Sequence, residues 1–224
     1  KITILILAMI FTFGPIVEPT LAYAGAHMKP HCDHSCAIPN ARNDNDEETI
    51  EVGWDAPGSD LQTLFDASNF DIDADSDQKE YQQWDAVNAT TTISATYLAH
   101  YAALHGVFGY YVNGDINTFV PMFDSASTTG TTVTAQITGS TDVGFAIKAG
   151  SGANAAFYAS HNNLNEGGND HMVAYDLADD TFVIAFEDLP KASSDKDFND
   201  MVVKIVVACD TDNGGPTNPP ANNP

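Results

Sequence analysis

The sequence predicts an all-β protein, an antiparallel β-sandwich of jelly-roll-like form, with a short N-terminal helix and an irregular N-terminal extension. Three observations predict it. From Thr90 onward, short runs rich in Val, Ile, Thr, Phe and Tyr recur between Gly, Asn and Asp turn signals, about every 8 to 12 residues. Several of these runs alternate apolar with polar residues, as in Thr131-Thr132-Val133-Thr134-Ala135-Gln136-Ile137, the pattern of a sheet with one wet face. No helical crossover of the kind a parallel sheet needs separates them.

Taken in order, residues 1–24 read as a signal peptide. Ile2 to Val17 is almost wholly apolar, and Ala22-Tyr23-Ala24 supplies a small-x-small cleavage pattern before Gly25. Gly14-Pro15 interrupts the run, which falls short of the roughly 20 residues of a spanning helix, so cleavage is favoured over anchoring. The expected location is secreted, extracellular or cell-surface, with no membrane association after cleavage.

Residues 25–57 form the irregular extension, holding His27, His31, Cys32, His34 and Cys36 and then the acidic run Asp44 to Glu48. The His/Cys group suits zinc or copper by composition, but its spacing matches no common finger. In an oxidising compartment a disulfide among Cys32, Cys36 and Cys209 is the favoured reading, with its pairing left open.

Asp60 to Phe65 carries apolar residues at helical spacing and is expected to cap one end of the core. Asp66 to Gln78 is expected to be a loop. Within it, Asp71, Asp73, Asp75 and Asp77 alternate as at the start of an EF-hand, but Ser76 takes the glycine position and Gln82 that of the bidentate glutamate, so a solvated acidic loop is favoured over a second calcium site.

Strands are expected near residues 91–99, 106–112, 117–123, 131–138, 142–148, 155–160, 171–176, 181–187 and 201–208. The runs Phe182 to Phe186 and Met201 to Val207 are nearly continuous in apolar residues and should be central. Residues 58–209 thus make one sandwich domain, and the Pro/Asn-rich residues 210–224 a linker or tail. Asn162 to Asn169 reads as a turn-forming loop, and Asn88-Ala89-Thr90 fits a glycosylation acceptor.

Charge narrows the function. The 224 residues hold 8 Lys+Arg against 31 Asp+Glu, a formal net charge of −23. Such a surface repels phosphate backbones and anionic lipid headgroups, which excludes nucleic acid as a partner and leaves divalent cations, basic proteins and neutral glycans open.

The most informative stretch is Phe186 to Asp200, between the two most hydrophobic strands. Glu187, Asp188, Asp195, Asp197 and Asp200 face only Lys191 and Lys196. Carboxylates held ~4 to 5 Å apart repel by several kcal/mol at an effective dielectric of about 20, so anchoring them beside buried strands without a counter-ion is costly. Calcium offsets that cost, because it takes six to eight oxygens at about 2.3–2.6 Å from carboxylates, amides and carbonyls. In an extended loop Asp195, Asp197 and Asn199 would point one way, with Glu187, Asp188 and Asp200 projecting from the strand ends. Magnesium demands stricter octahedral geometry, and zinc prefers the Cys or His that the loop lacks. The competing reading is an acidic exposed hairpin with nothing bound. Phe198, embedded among the polar residues, argues against it by pinning the loop to the core.

Asp170-His171-Met172-Val173-Ala174-Tyr175, then Phe186-Glu187-Asp188-Leu189, then Asp195-Lys196-Asp197-Phe198-Asn199-Asp200 resemble the C-terminal signature of the secreted bacterial domain of unknown function 4114 family. Weaker likeness reaches upstream through Phe157-Tyr158 and Phe108 to Tyr111, to Leu61 to Phe65 with Trp84, so it spans roughly residues 60–208. Lys191-Ala192-Ser193-Ser194 stands where the family commonly has glycines. The resemblance implies a secreted β-sandwich with a calcium site, used as a module of surface or matrix proteins, and supplies no activity. By that likeness Asp170 joins the candidate ligands, while His171 is expected to be a structural hydrogen-bonding residue.

No nucleophile elbow, His-Glu-x-x-His motif or phosphate-binding glycine loop occurs in the sequence. The expectation is therefore a non-enzymatic calcium-binding module with a structural or adhesive role at the cell surface, in extracellular matrix or in filaments. Its partners would be calcium together with an extracellular glycan, a surface protein or further copies of itself. The alternative is a calcium-dependent carbohydrate-binding module using Tyr110, Tyr111 and Trp84; a secreted hydrolase built on an acid pair ranks below it.

Overall fold

A computed structural model describes residues 37–41, 58–86, 90–139, 141–178 and 180–209. The signal-like segment, the His/Cys group with Cys32 and Cys36, the glycosylation motif from Asn88 and the tail from 210 lie outside the described residues.

Two antiparallel sheets make the sandwich. The first runs β1 (Ala37–Ala41), β3 (Tyr81–Ala86), β8 (Thr141–Ala149), β5 (Gly106–Val112), β6 (Asp115–Asp124). β9 (Ala156–Ala159) also pairs with β8, at the end of β8 that β3 leaves free. The second runs β2 (Gln78–Lys79), β10 (Met172–Asp176), β11 (Thr181–Phe186), β12 (Met201–Cys209), β4 (Thr90–Ala99), β7 (Thr132–Thr138). All nine strands expected from Thr90 onward are present. A strand at Ala37–Ala41 lies within the stretch read as irregular, and β2 and β3 follow the acidic loop where no strand was expected.

The core between the sheets is filled by one side of each strand: Ile93, Ala95 and Tyr97 of β4, Phe108 of β5, Phe145 and Ile147 of β8, Ile184 and Phe186 of β11, Val203 and Ile205 of β12. Aromatic rings interlock there, with Phe108 stacked on Phe123 at 5.0 Å and Trp84 edge-on to Phe145 at 5.0 Å.

The second sheet is also covered on its outer face, which explains its continuous apolar runs. Helix α1 (Leu61–Ala67) lays Leu61 and Phe65 against Val173, Tyr175, Val183, Ala185 and Val202. Asp60 caps the helix by accepting from the Thr63 amide at 2.8 Å. Alternate residues of β10 and β11 therefore face two apolar environments, one toward the other sheet and one toward the helix.

Candidate metal centre

The β11–β12 ladder builds the site. Phe186 pairs with Met201 at its last rung, so Glu187, just beyond β11, and Asp200, just before β12, are brought together at the same end of the sheet. The connection then returns Asp197 to that end through an unusual backbone. Lys196 has φ 62° and Phe198 φ 51°, both left-handed without being glycine. This conformation persists because the Phe198 side chain, 2% exposed, is buried in the cluster under α1. Phe198 thus pins the loop as expected, and Asp197 beside it is turned inward. One oxygen from each of Glu187, Asp197 and Asp200 lies within 4.8 Å of the others, and all three residues are buried.

Burial without compensation dominates the electrostatics. Neither carboxylate oxygen of Glu187 has a partner at full hydrogen-bond geometry, the Ser194 hydroxyl being only a weak neighbour, although the residue is only 1% exposed. Its pKa is pushed up to about 8, first by burial and then by the charges of Asp200, Asp195 and Asp197, with the Ser194 hydroxyl pulling weakly the other way. Asp200 is raised by burial and by its neighbour Asp188, and accepts a hydrogen bond from the Asp188 amide at 2.6 Å. Burial raises Asp188 as well, and its Oδ2 is unpartnered. Three ionised carboxylates within 4.8 Å would repel by roughly 3.5 kcal/mol per pair at an effective dielectric of 20. The centre therefore favours bound protons or a bound cation, and Glu187, Asp197 and Asp200 could hold a metal ion.

The remaining expected ligands are placed differently. Asp195 is exposed, and it does not join the group of three. Asp195, Asp197 and Asn199 do not share one direction as an extended loop would require, because the left-handed Lys196 and Phe198 break the alternation. Asn199 is buried as a brace: its amide nitrogen donates to the Ser59 carbonyl at 3.0 Å, and its carbonyl accepts from the Tyr101 amide at 3.2 Å. Asp170, half-buried, also falls outside the group; it lines a small polar cleft with Glu80, Tyr81, Gln82 and Asn162.

His171 is buried, and its carbonyl accepts from the Glu187 amide at 3.1 Å, so it positions the start of the loop through its backbone. Its ring lies 4.6 Å from that of Tyr158, and burial lowers its pKa. Tyr158 was not among the expected site residues. Its phenol is raised by burial and then by the charges of Asp188 and Glu187, which puts it in the field of the centre. The only sequence sign was its aromatic pair with Phe157.

Asp71, Asp73, Asp75 and Asp77 are exposed; Asp73 accepts from the amides of Asp75 and Ser76 at 3.1 and 2.9 Å, which accounts for the loop as a self-capped turn. Trp84 and Tyr111 are fully buried, so they are core residues and offer no face to a glycan.

Residues 127–208, from before β7 through β12, match the family model described as Domain of unknown function (DUF4114), the family whose resemblance was read from the sequence; the weaker likeness over residues 60–126 lies outside the match. No curated protein and no solved structure matches the chain.

Proposed function

We propose that this protein is an exported, non-catalytic β-sandwich module whose β11–β12 connection is locked by calcium, and that it serves a structural or adhesive role at the cell surface, in extracellular matrix or in filaments. The observation that carries this reading is the Glu187 carboxylate, buried with neither oxygen at full hydrogen-bond geometry and within 4.8 Å of Asp197 and Asp200 oxygens.

The donor chemistry supports calcium over its competitors. All three groups are hard carboxylate oxygens, and Asp188 adds an unpartnered oxygen nearby in sequence. A site without Cys or His ligands is poor for zinc. Among the described residues no helix is long and apolar enough to cross a membrane. An extracellular site of ~0.1 mM affinity in ~2 mM calcium would add about 1.8 kcal/mol of stability by linkage. Calorimetric titration of chelator-treated protein with calcium, magnesium and zinc tests the reading: saturable calcium binding with weaker magnesium and zinc binding supports it, and heat from none of the three refutes it.

A further inference from the structure

Among the described residues four strands end the two sheets, the four-residue β9 is a fifth, short edge beside β8, and of the four ends three are protected against pairing with another chain. β2 has only two residues, one of them Lys79. β1 contains Pro39 and a register shift. β6 contains Pro121, begins and ends with aspartate, and pairs with β5 through two register shifts. Short length, proline, charge and bulges are the usual devices that stop edge-to-edge association.

β7 has none of them. Its seven residues, Thr132–Thr138, include no charge and no proline, and it pairs with β4 without a register shift. Among the described residues no strand lies on its other side. The Tyr97 amide donates to the Thr131 carbonyl at 2.9 Å, so by antiparallel alternation the backbones of Val133, Ala135 and Ile137 bond to β4. Thr132, Thr134, Gln136 and Thr138 then turn their N–H and C=O groups to the open edge. The close side-chain pairs agree: Thr132 meets Thr96 at 2.9 Å and Thr134 meets Ser94 at 3.1 Å, as expected where the backbones exchange no hydrogen bonds.

Charge says what can approach. In a chain of net charge −23, residues 125–141 carry no charged side chain, and neither do residues 86–99, which include β4. The strands β4 and β7 are thus hydroxyl-rich and uncharged in a strongly acidic protein, so two paired β7 strands set no carboxylate of their own against another.

We propose that β7 pairs antiparallel with β7 of a second copy, joining the two β2–β7 sheets into one continuous sheet about a twofold axis near Ala135. In that register Thr132 of one copy faces Thr138 of the other, Thr134 faces Gln136, and the apolar Val133 faces Ile137 on the core side. The pairing is closed and self-complementary. It does not depend on the metal centre.

The test uses the full chain with two charge variants, Thr134→Lys with Gln136→Lys, and Thr134→Glu with Gln136→Glu. Each sets like charges opposite one another in the dimer, and both positions are exposed in the monomer. Sedimentation velocity up to millimolar concentration, in calcium and in chelator, should show a concentration-dependent dimer for the parent. Each variant alone should be monomeric with an unchanged cooperative melt, and the equimolar mixture should recover the dimer. Thr134→Pro, which removes an outward N–H, should also be monomeric. A parent monomeric throughout, or dimers that survive all three variants, would overturn the proposal, as would a mixture of the two charge variants that stays monomeric while each is folded.

Discussion

Glu187 and Asp200 continue the register of Phe186 and Met201 beyond the last rung of the β11–β12 ladder, and their carboxylate oxygens lie within 4.8 Å of one another in a buried site. The ladder thus forces together two acids that would otherwise separate. Folding energy from the surrounding core holds a charge arrangement that only protons or a cation can relieve, and the predictions below follow from that conflict.

Stability of the metal-free protein should fall as pH rises. Glu187 moves from an ordinary value of 4.5 to about 8 in the fold, and Asp200 is raised as well. The folded state then binds more protons than the unfolded chain between those values, so the stabilisation is complete below about pH 4.5 and is lost as pH climbs through about 8. Thermal melts in chelator should give a lower Tm at pH 8.5 than at pH 6. Calcium affinity should show the opposite trend, because the metal competes with those protons. A chelated Tm that rises steadily across this range would contradict the assignment.

Glu187→Gln keeps the shape of the side chain and removes its charge. In chelator at pH 8.5 it should stabilise the fold by roughly 1 to 3 kcal/mol, since a neutral amide is easier to bury than an unpaired carboxylate. Calcium affinity should drop at least tenfold in the same protein. Denaturant melts with and without calcium read both effects, which should have opposite signs.

The loop's two left-handed residues should respond in opposite ways. Phe198→Ala removes a side chain buried against α1 and β12 and should cost about 3 to 5 kcal/mol. It should weaken metal binding too, by releasing Asp197. Lys196→Gly, at an exposed position with φ 62°, should instead be neutral to stabilising by up to about 1 kcal/mol and leave the metal affinity within about threefold. Equal losses in both variants would show that Phe198 has no special anchoring role.

Much of the sandwich was legible because strand period and turn residues are local signals. Thr131 to Ile137 alternates cleanly and becomes β7 at the edge of its sheet, whereas Phe182 to Phe186 is continuous because α1 and the opposite sheet cover both faces. β3 was hidden because Tyr81-Gln82-Gln83-Trp84 has one deeply buried residue and no alternation, so only pairing with β8 and β1 makes it a strand. Trp84 and Tyr111 could not be told from surface aromatics by identity alone; the side of the sheet they occupy decides that. At the centre, Glu187, Asp197 and Asp200 followed from composition and position, whereas Asp195 and Asp170 did not join them. Loop direction depends on the φ angles of Lys196 and Phe198, which no spacing rule encodes.

The most direct test of the central claim is the calcium-dependent thermal shift of the protein beside Asp197→Asn combined with Asp200→Asn. Calcium is expected to raise the parent's Tm in a saturable way and to leave the double variant's unchanged, while the variant, relieved of two buried charges, melts at or above the chelated parent at pH 8.5. An equal calcium shift in both proteins, or none in either, would contradict the claim that these carboxylates form a calcium site.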